Sequence, residues 1–163
     1  MYYIVYYQAE TAVIVGDVTL AEGVSVWHQA VIRADEAPVY VDEATNIQDG
    51  VVIHVDENYP IHIGKRCTIG HRAIVHGCHI EDDVLIGMGA IVLNGARIGA
   101  GSIVGAGAVV LENAVIPPRS LVVGTPGKVR REIGDAQFQE ISSNALAYVE
   151  QARKQLHKKE QDR

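Results

Sequence analysis

The chain has 163 residues, with 14 Lys and Arg against 20 Asp and Glu and a formal net charge of −6. At this length one domain is the natural count, and 48% hydrophobic with 21% charged residues argues against a disordered chain. The acidic balance argues against a nucleic-acid partner, which would need a basic stripe to neutralise phosphates.

The opening stretch, Met1 to Tyr7, has no basic region and no small-residue cleavage site. No apolar run reaches the roughly 20 residues a bilayer requires, so no membrane partner is expected. Cys67 and Cys78 make no disulfide framework, and a reducing, cytoplasmic location follows as the expectation.

Next in chain order comes a repeat. An aliphatic residue recurs at Ile14, Leu20, Val26 and Ile32, then at Val41, Ile47 and Ile53, then at Ile63, Ile69 and Val75. From Ile80 it runs unbroken at every sixth position through Ile86, Val92, Ile98, Val104, Val110 and Ile116 to Val122. No amphipathic helix has that period. Four residues after each comes a small or β-branched side chain, among them Val84, Ala90, Ala96, Ser102 and Ala108. The period fits a short β segment followed by a tight corner, and three such sides close a triangular coil of about 18 residues. The fold class expected is therefore an all-β solenoid, a parallel β-helix over about residues 10–126. A narrow prism of this kind also explains why aromatics make up only 6% of the chain.

Three phase slips interrupt the frame. Ala34–Tyr40 and Val55–His62 add residues, which should bulge outward as loops, and Val75–Ile80 is one residue short. Cys67 and Cys78 fall on small-residue positions and read as inward fillers. Trp27 follows Val26 on an outward position and suggests an interface role.

The frame ends near Pro126, and 135–160 reads as a helix. Phe138, Ile141, Ala145, Val149, Ala152 and Leu156 form one apolar stripe, with Asp135 as the expected N-cap after Gly134. Residues 1–127 hold 6 Lys and Arg against 14 Asp and Glu, whereas 128–163 hold 8 against 6. The helix should pack against an acidic prism, with 1–163 forming a single domain.

Counting repeats sorts side chains into columns. Ile32, Ile53 and Val75 lie three repeats apart in turn, so the residues after them, Arg33, His54 and His76, share one outer column. Two residues after Val26, Ile47 and Ile69 come His28, Asp49 and His71, a second column around the corner. His54 and His76 on adjacent coils should start about 5 Å apart, close enough to converge on one ion. His71 stands on the neighbouring side of the triangle, so one chain should not bring all three to one metal. A second copy in a closed homotrimer could. Three His with an open fourth position is the pattern of a catalytic zinc site. His62, His79 and His157 lie outside these columns and read as surface residues.

The stretches VIRADE (31–36), TNIQDGVVIHV (45–55), IGHRAIVHGC (69–78), IEDDVLIGMGAIVLNGARIG (80–99) and SLVVGTPGKVRRE (120–132) resemble the gamma-class carbonic anhydrases. The resemblance covers essentially the whole chain, including the tail NALAYVEQA. It implies left-handed coiling, a trimer with a C-terminal helix, and a metal held by His54 and His76 of one subunit and His71 of the next. It implies that Arg33 and Asp35 pair across the trimer interface and help hold bicarbonate, and that Gln48, within the motif that also holds Asn46, hydrogen-bonds the water at the metal. Asp49 would orient the interface, and Tyr148 would approach the site. Glu57 has the offset of the family's glutamate proton shuttle, but the loop before Pro60 is short, which predicts slow proton transfer.

Three functions are compatible with these residues. The first is reversible hydration of carbon dioxide to bicarbonate, with zinc as cofactor and iron or cobalt also compatible with the ligands. The second is a hexapeptide-repeat acyltransferase, because fold does not set function. The third is a non-catalytic metal-binding or assembly protein. The metal register of three histidines favours the first, since a single general base would not require it.

Overall fold

A computed structural model describes residues 6–161. Met1–Val5, part of the opening stretch read above for a leader, lies outside them. Parallel strands of mostly two or three residues stack into a left-handed β-helix of about six turns with three flat faces, followed by one helix, Asp135–Gln161.

The first face runs from Tyr6–Gln8 through Val24–Val26, Asn46–Ile47, Thr68–Ile69, Leu85–Ile86 and Ile103–Val104 to Ser120–Val123. The second face begins with the first halves of two long strands, Val13–Leu20 and Val31–Val41. It continues through Val52–His54, Ile74–His76 and Ile91–Val92 to Val109–Val110. The second halves of the same long strands open the third face, with Ile61–Ile63, His79–Ile80, Arg97–Ile98 and Val115–Ile116. Strand Lys128–Glu132 turns back antiparallel on Ser120–Val123 and leads into the helix.

The core is the prism axis. Ile32, Ile53, Val75, Val92 and Val110 stack in register and are buried, as are Val84, Ala90, Ala96, Ser102, Ala108 and Ser120, each two positions before a later member of the frame. Cys67 and Cys78 fill such positions. Burial pushes both thiols up to about 12, so they are inert packing groups. The corners are made by residues with positive φ, which recur at every sixth position from Asp83 through Gly89, Gly95, Gly101, Gly107 and Asn113 to Arg119. Each left-handed residue turns the chain from one face to the next.

Three expectations need correction. Ala34–Tyr40 does not leave the sheet as a loop. Val31–Val41 stays one strand, and its pairing jumps from Gly16↔Ala34 to Val18↔Val39, so the extra residues form a bulge at the corner. Ladder bonds on both sides of the corner hold them in place. Asp135 is not the N-cap: Phe138 N–H donates to Gly134 O at 3.1 Å, which makes Gly134 the cap and Asp135 the first helical residue. The Asp135 carboxylate instead accepts from Arg119 at 2.5 Å. Finally, Trp27 points out of the prism but is covered by its own chain. It packs against Tyr7 and Tyr148, with ring centroids 5.1 and 5.5 Å away, and its indole N–H donates to Ser25 Oγ at 3.0 Å.

The helix packs as its stripe predicts. Ile141, Ala145 and Ala152 are buried, while Phe138, Val149 and Leu156 are half-buried. Among the described residues no helix is long and apolar enough to cross a membrane.

Candidate metal centre

The second face places the first column as counted. Arg33, His54 and His76 are direct register partners on three successive coils. The two imidazoles stand with ring centroids 5.0 Å apart, and His54 Nδ1 lies 3.0 Å from His76 Nε2. The outer nitrogen of each ring is engaged. His54 Nε2 meets Asp35 Oδ1 at 3.0 Å, and His76 Nδ1 meets Asn94 Oδ1 at 2.6 Å.

These outer partners determine what the inner nitrogens can do. Both are oxygen acceptors, so each outer nitrogen carries its proton, and the facing nitrogens of the neutral rings are lone pairs. Two lone pairs at 3.0 Å repel unless a proton or a cation sits between them. The donor set therefore fits a divalent metal, and the outer contacts are of the kind that orient metal-ligating imidazoles. The Asp56 carboxylate completes a cluster with His54 and His76 in which the ligand atoms lie within 4.8 Å of one another.

Arg33 bonds Asp35 within the same chain. Burial pushes the Asp35 carboxyl up, but hydrogen bonds from Arg33, its own backbone and His54 outweigh it and hold Asp35 below the usual carboxylate range.

His71 stands away from this cluster, on the turn between Thr68–Ile69 and Ile74–His76 at the corner of the first and second faces. Its Nδ1 pairs with Asp49 Oδ2 at 3.0 Å, which leaves Nε2 as its free lone pair. Around it lie Gln48, Asn144 and Tyr148, which line one shallow groove with His71. Gln48 is buried, donates from Nε2 to Asn46 Oδ1 at 3.1 Å and accepts from His71 N–H at 3.2 Å. Burial first, and the charge of Asp49 second, push the Tyr148 hydroxyl up. The residues singled out in the sequence thus fall in two groups: Arg33, Asp35, His54 and His76 on the second face, and Gln48, Asp49 and His71 at the corner before it, with Tyr148 of the helix beside them.

Glu57 is exposed on the turn between Asp56 and Tyr59, and the acid that reaches the imidazoles is Asp56 instead. His28, in the His71 column, pairs with Thr11 Oγ1 at 3.0 Å. Asp56 and Asn94 were not legible as a pair because both lie at the corner between the second and third faces, where the long step from Ile53 to Ile63 and the short step from Val75 to Ile80 break the frame.

A sequence profile of the bacterial transferase hexapeptide family (six repeats) matches residues 77–112. A Methanocaldococcus jannaschii protein named as a probable carbonic anhydrase is 52% identical over 141 residues, 86% of this chain and 89% of that one. The chain belongs to the gamma carbonic anhydrase family. The mitochondrial gamma carbonic anhydrase 2 of Arabidopsis thaliana is 36% identical over 158 residues, 93% of this chain and 56% of that one. Among solved structures, a Bacillus cereus protein provisionally described as an acetyltransferase superposes with a TM-score of 0.88 at 39% identity. The alignment covers 91% of this chain and 87% of that one. Carbonic anhydrases and proteins described as acetyltransferases thus share the solenoid, so the fold by itself does not choose between them.

Proposed function

We propose that the chain hydrates carbon dioxide reversibly to bicarbonate, at sites built where His54 and His76 of one copy meet His71 of the next in a homotrimer. The observation that carries this reading is the split of one donor set between the second face and the corner before it. Three imidazoles have an outer nitrogen tied to an acceptor, yet His71 stands apart from the other two. The second face also supports assembly. Its outward column, Val13, Val31, Val52, Ile74, Ile91 and Val109, is aliphatic, and Val52 and Ile74 are 39% and 37% exposed. The outward column of the third face, Thr19, Tyr40, His62, His79, Arg97 and Val115, is mostly polar and apolar only at its last coil. A continuous apolar stripe left open to solvent is the mark of a buried contact.

A divalent ion such as zinc, iron or cobalt held by these histidines would lower the pKa of water, to about 7 for zinc, and so would supply hydroxide at neutral pH. The chain's own groups orient the reaction. Gln48 Oε1 uses one lone pair on the backbone N–H of His71 and keeps the other for the proton of the attacking hydroxide, which would turn a lone pair of that hydroxide toward the carbon of carbon dioxide. The Arg33 guanidinium, steadied by Asp35, offers charge to the bicarbonate oxygens as the product forms. Tyr148 and Asn144 narrow the approach beside His71. The exposed Glu57 is the residue in line to pass the released proton to solvent.

Hydration measured on the metal-loaded protein, with particle size and metal content determined on the same sample, tests the reading. A trimer is expected whose turnover rises steeply with the concentration of an imidazole-type buffer while kcat/KM hardly changes, because Glu57 is set out on a short turn. Turnover that is fast and indifferent to buffer would show an efficient internal shuttle. A metal-loaded trimer inactive at every buffer concentration would hand the lead to a non-catalytic assembly role.

A further inference from the structure

Three successive corners of the prism, between the second and third faces, differ in length. The step from Ile53 to Ile63 is long, the step from Val75 to Ile80 is short, and the step from Val92 to Ile98 has the regular six-residue length. Because Val75 pairs directly with Val92 and Ile80 with Ile98, the coil carrying Asn94 has one residue more at the corner than the coil below. The surplus is taken up beside Gly77. Gly95 N–H donates to Gly77 O at 2.7 Å, and a Cβ on Gly77 would stand 2.2 Å from Asn94 Oδ1. Gly77 also has φ +53°, so its lack of a side chain is required twice over.

The opening lets the Asn94 side chain bridge two residues. Its Oδ1 is 2.6 Å from His76 Nδ1, and its Nδ2 is 2.6 Å from Asp56 Oδ2, on the turn made by the long corner below. Hydrogen-bond chemistry permits one direction for this chain of contacts. An ionised carboxylate only accepts, so Asn94 must turn its NH2 toward Asp56 and its carbonyl toward His76. A carbonyl only accepts, so His76 must carry its proton on Nδ1. His76 Nε2 is then a lone pair, and it is the atom that faces His54 at 3.0 Å.

We propose that Asp56, acting through the Asn94 carboxamide, sets the tautomer of His76 and thereby its readiness to bind a metal. Asp56 and Asn94 are positioning residues: they act through His76. The inference deepens the metal-site reading above and rests on it for its purpose, while its first measurement needs no metal.

The imidazole nitrogens of His76 are to be assigned by 15N NMR in metal-free protein, and zinc affinity measured by competition with a chelator. Wild type should show His76 protonated at Nδ1. In Asn94→Ala that preference should be lost, and zinc affinity should fall about 10–100-fold, as for other changes to groups that orient a ligand. Asp56→Asn should weaken the preference, since either amide of the resulting pair can then donate. Asn94→Asp should impair binding because it sets two carboxylates side by side. The exchange variant, Asp56→Asn with Asn94→Asp, restores an acceptor for His76 and a donor from position 56, so it should recover both tautomer and affinity. Circular dichroism and particle size verify that each variant is folded. An unchanged His76 tautomer in folded Asn94→Ala would overturn the proposal, as would an exchange variant no better than Asn94→Asp alone. If the tautomer shifts as expected but the wild type takes up no zinc, the relay stands and the metal-site reading fails.

Discussion

The Gln48 carboxamide is oriented by a chain of contacts that starts in the backbone. Cys67 O accepts from Asn46 Nδ2 at 3.2 Å, which turns Asn46 Oδ1 toward Gln48 and leaves Gln48 Oε1 on the His71 side. Gln48→Ala should keep the metal and lose about 10–100-fold in kcat/KM, since the side chain orients water and is no ligand. Metal content falling in step with rate would show a structural role instead. His79 offers a second test at this scale. Burial, then the charges of His62 and Arg97, hold it below its usual value, with Glu81 acting the other way and Asp42 engaged by His62 at 2.8 Å. The unfolded chain therefore binds a proton near pH 6.5 that the folded chain refuses, so its contribution is complete above that pH and is lost as pH falls through it. Urea unfolding of His79→Gln should show a shallower loss of stability between about pH 7 and 5 than wild type. Equal slopes would remove His79 from the balance. His79 was read as a plain surface residue, and its strand position was legible; its 5.0 Å approach to the His62 ring depends on rotamers that no periodicity records.

At the scale of elements, the helix is held by both its stripe and its polar ties. Ile141 is buried against the prism, Ser142 Oγ donates to Asp83 Oδ1 at 3.2 Å, and Asn144 Nδ2 donates to Thr68 Oγ1 at 2.9 Å. Ile141→Ala should cost about 2–5 kcal/mol in chemical denaturation, because the rigid face of the prism cannot close the cavity. A change below about 0.5 kcal/mol, the range of surface substitutions, would mean the helix is loosely docked. The stripe was legible because a helix projects every third or fourth residue onto one line. The cap was not: Asp135 has the chemistry of an N-cap, but Arg119 engages its carboxylate from the last coil and the chain begins the helix one residue earlier. The bulge at Ala34–Tyr40 was also hidden, since a count of added residues cannot tell whether they stay paired.

For the whole molecule, the separation of His71 from His54 and His76 makes the proposed assembly testable. His71→Ala and His54→Ala should each lose most bound metal as homotrimers. Refolded together they should recover part of it, because one interface in each mixed trimer then joins an intact His54 and His76 to an intact His71. Mixed trimers, verified by mass, that stay metal-free would count against the shared site. The aliphatic column on the second face lies beside His54 and His76, so the contact that would complete the site would also bury that apolar strip.

The solenoid and the membership of each column were determined by the sequence alone, because a repeat converts position along the chain into position around an axis. One residue of phase is enough to move a side chain to another face. That is why Arg33, His54 and His76 could be aligned by counting, and why His71 could be set apart from them. The partners of those imidazoles were decided by the tertiary structure. A hydrogen bond tolerates a few tenths of an ångström, whereas the repeat specifies location only to the roughly 4.8 Å spacing of its coils. Asn94 reaches both His76 and Asp56 because a long, a short and a regular corner lie one above another. Trp27 is covered because the helix returns along the first face with Tyr148 turned toward it. Those contacts join residues far apart in the chain, and they exist only once the coils are stacked.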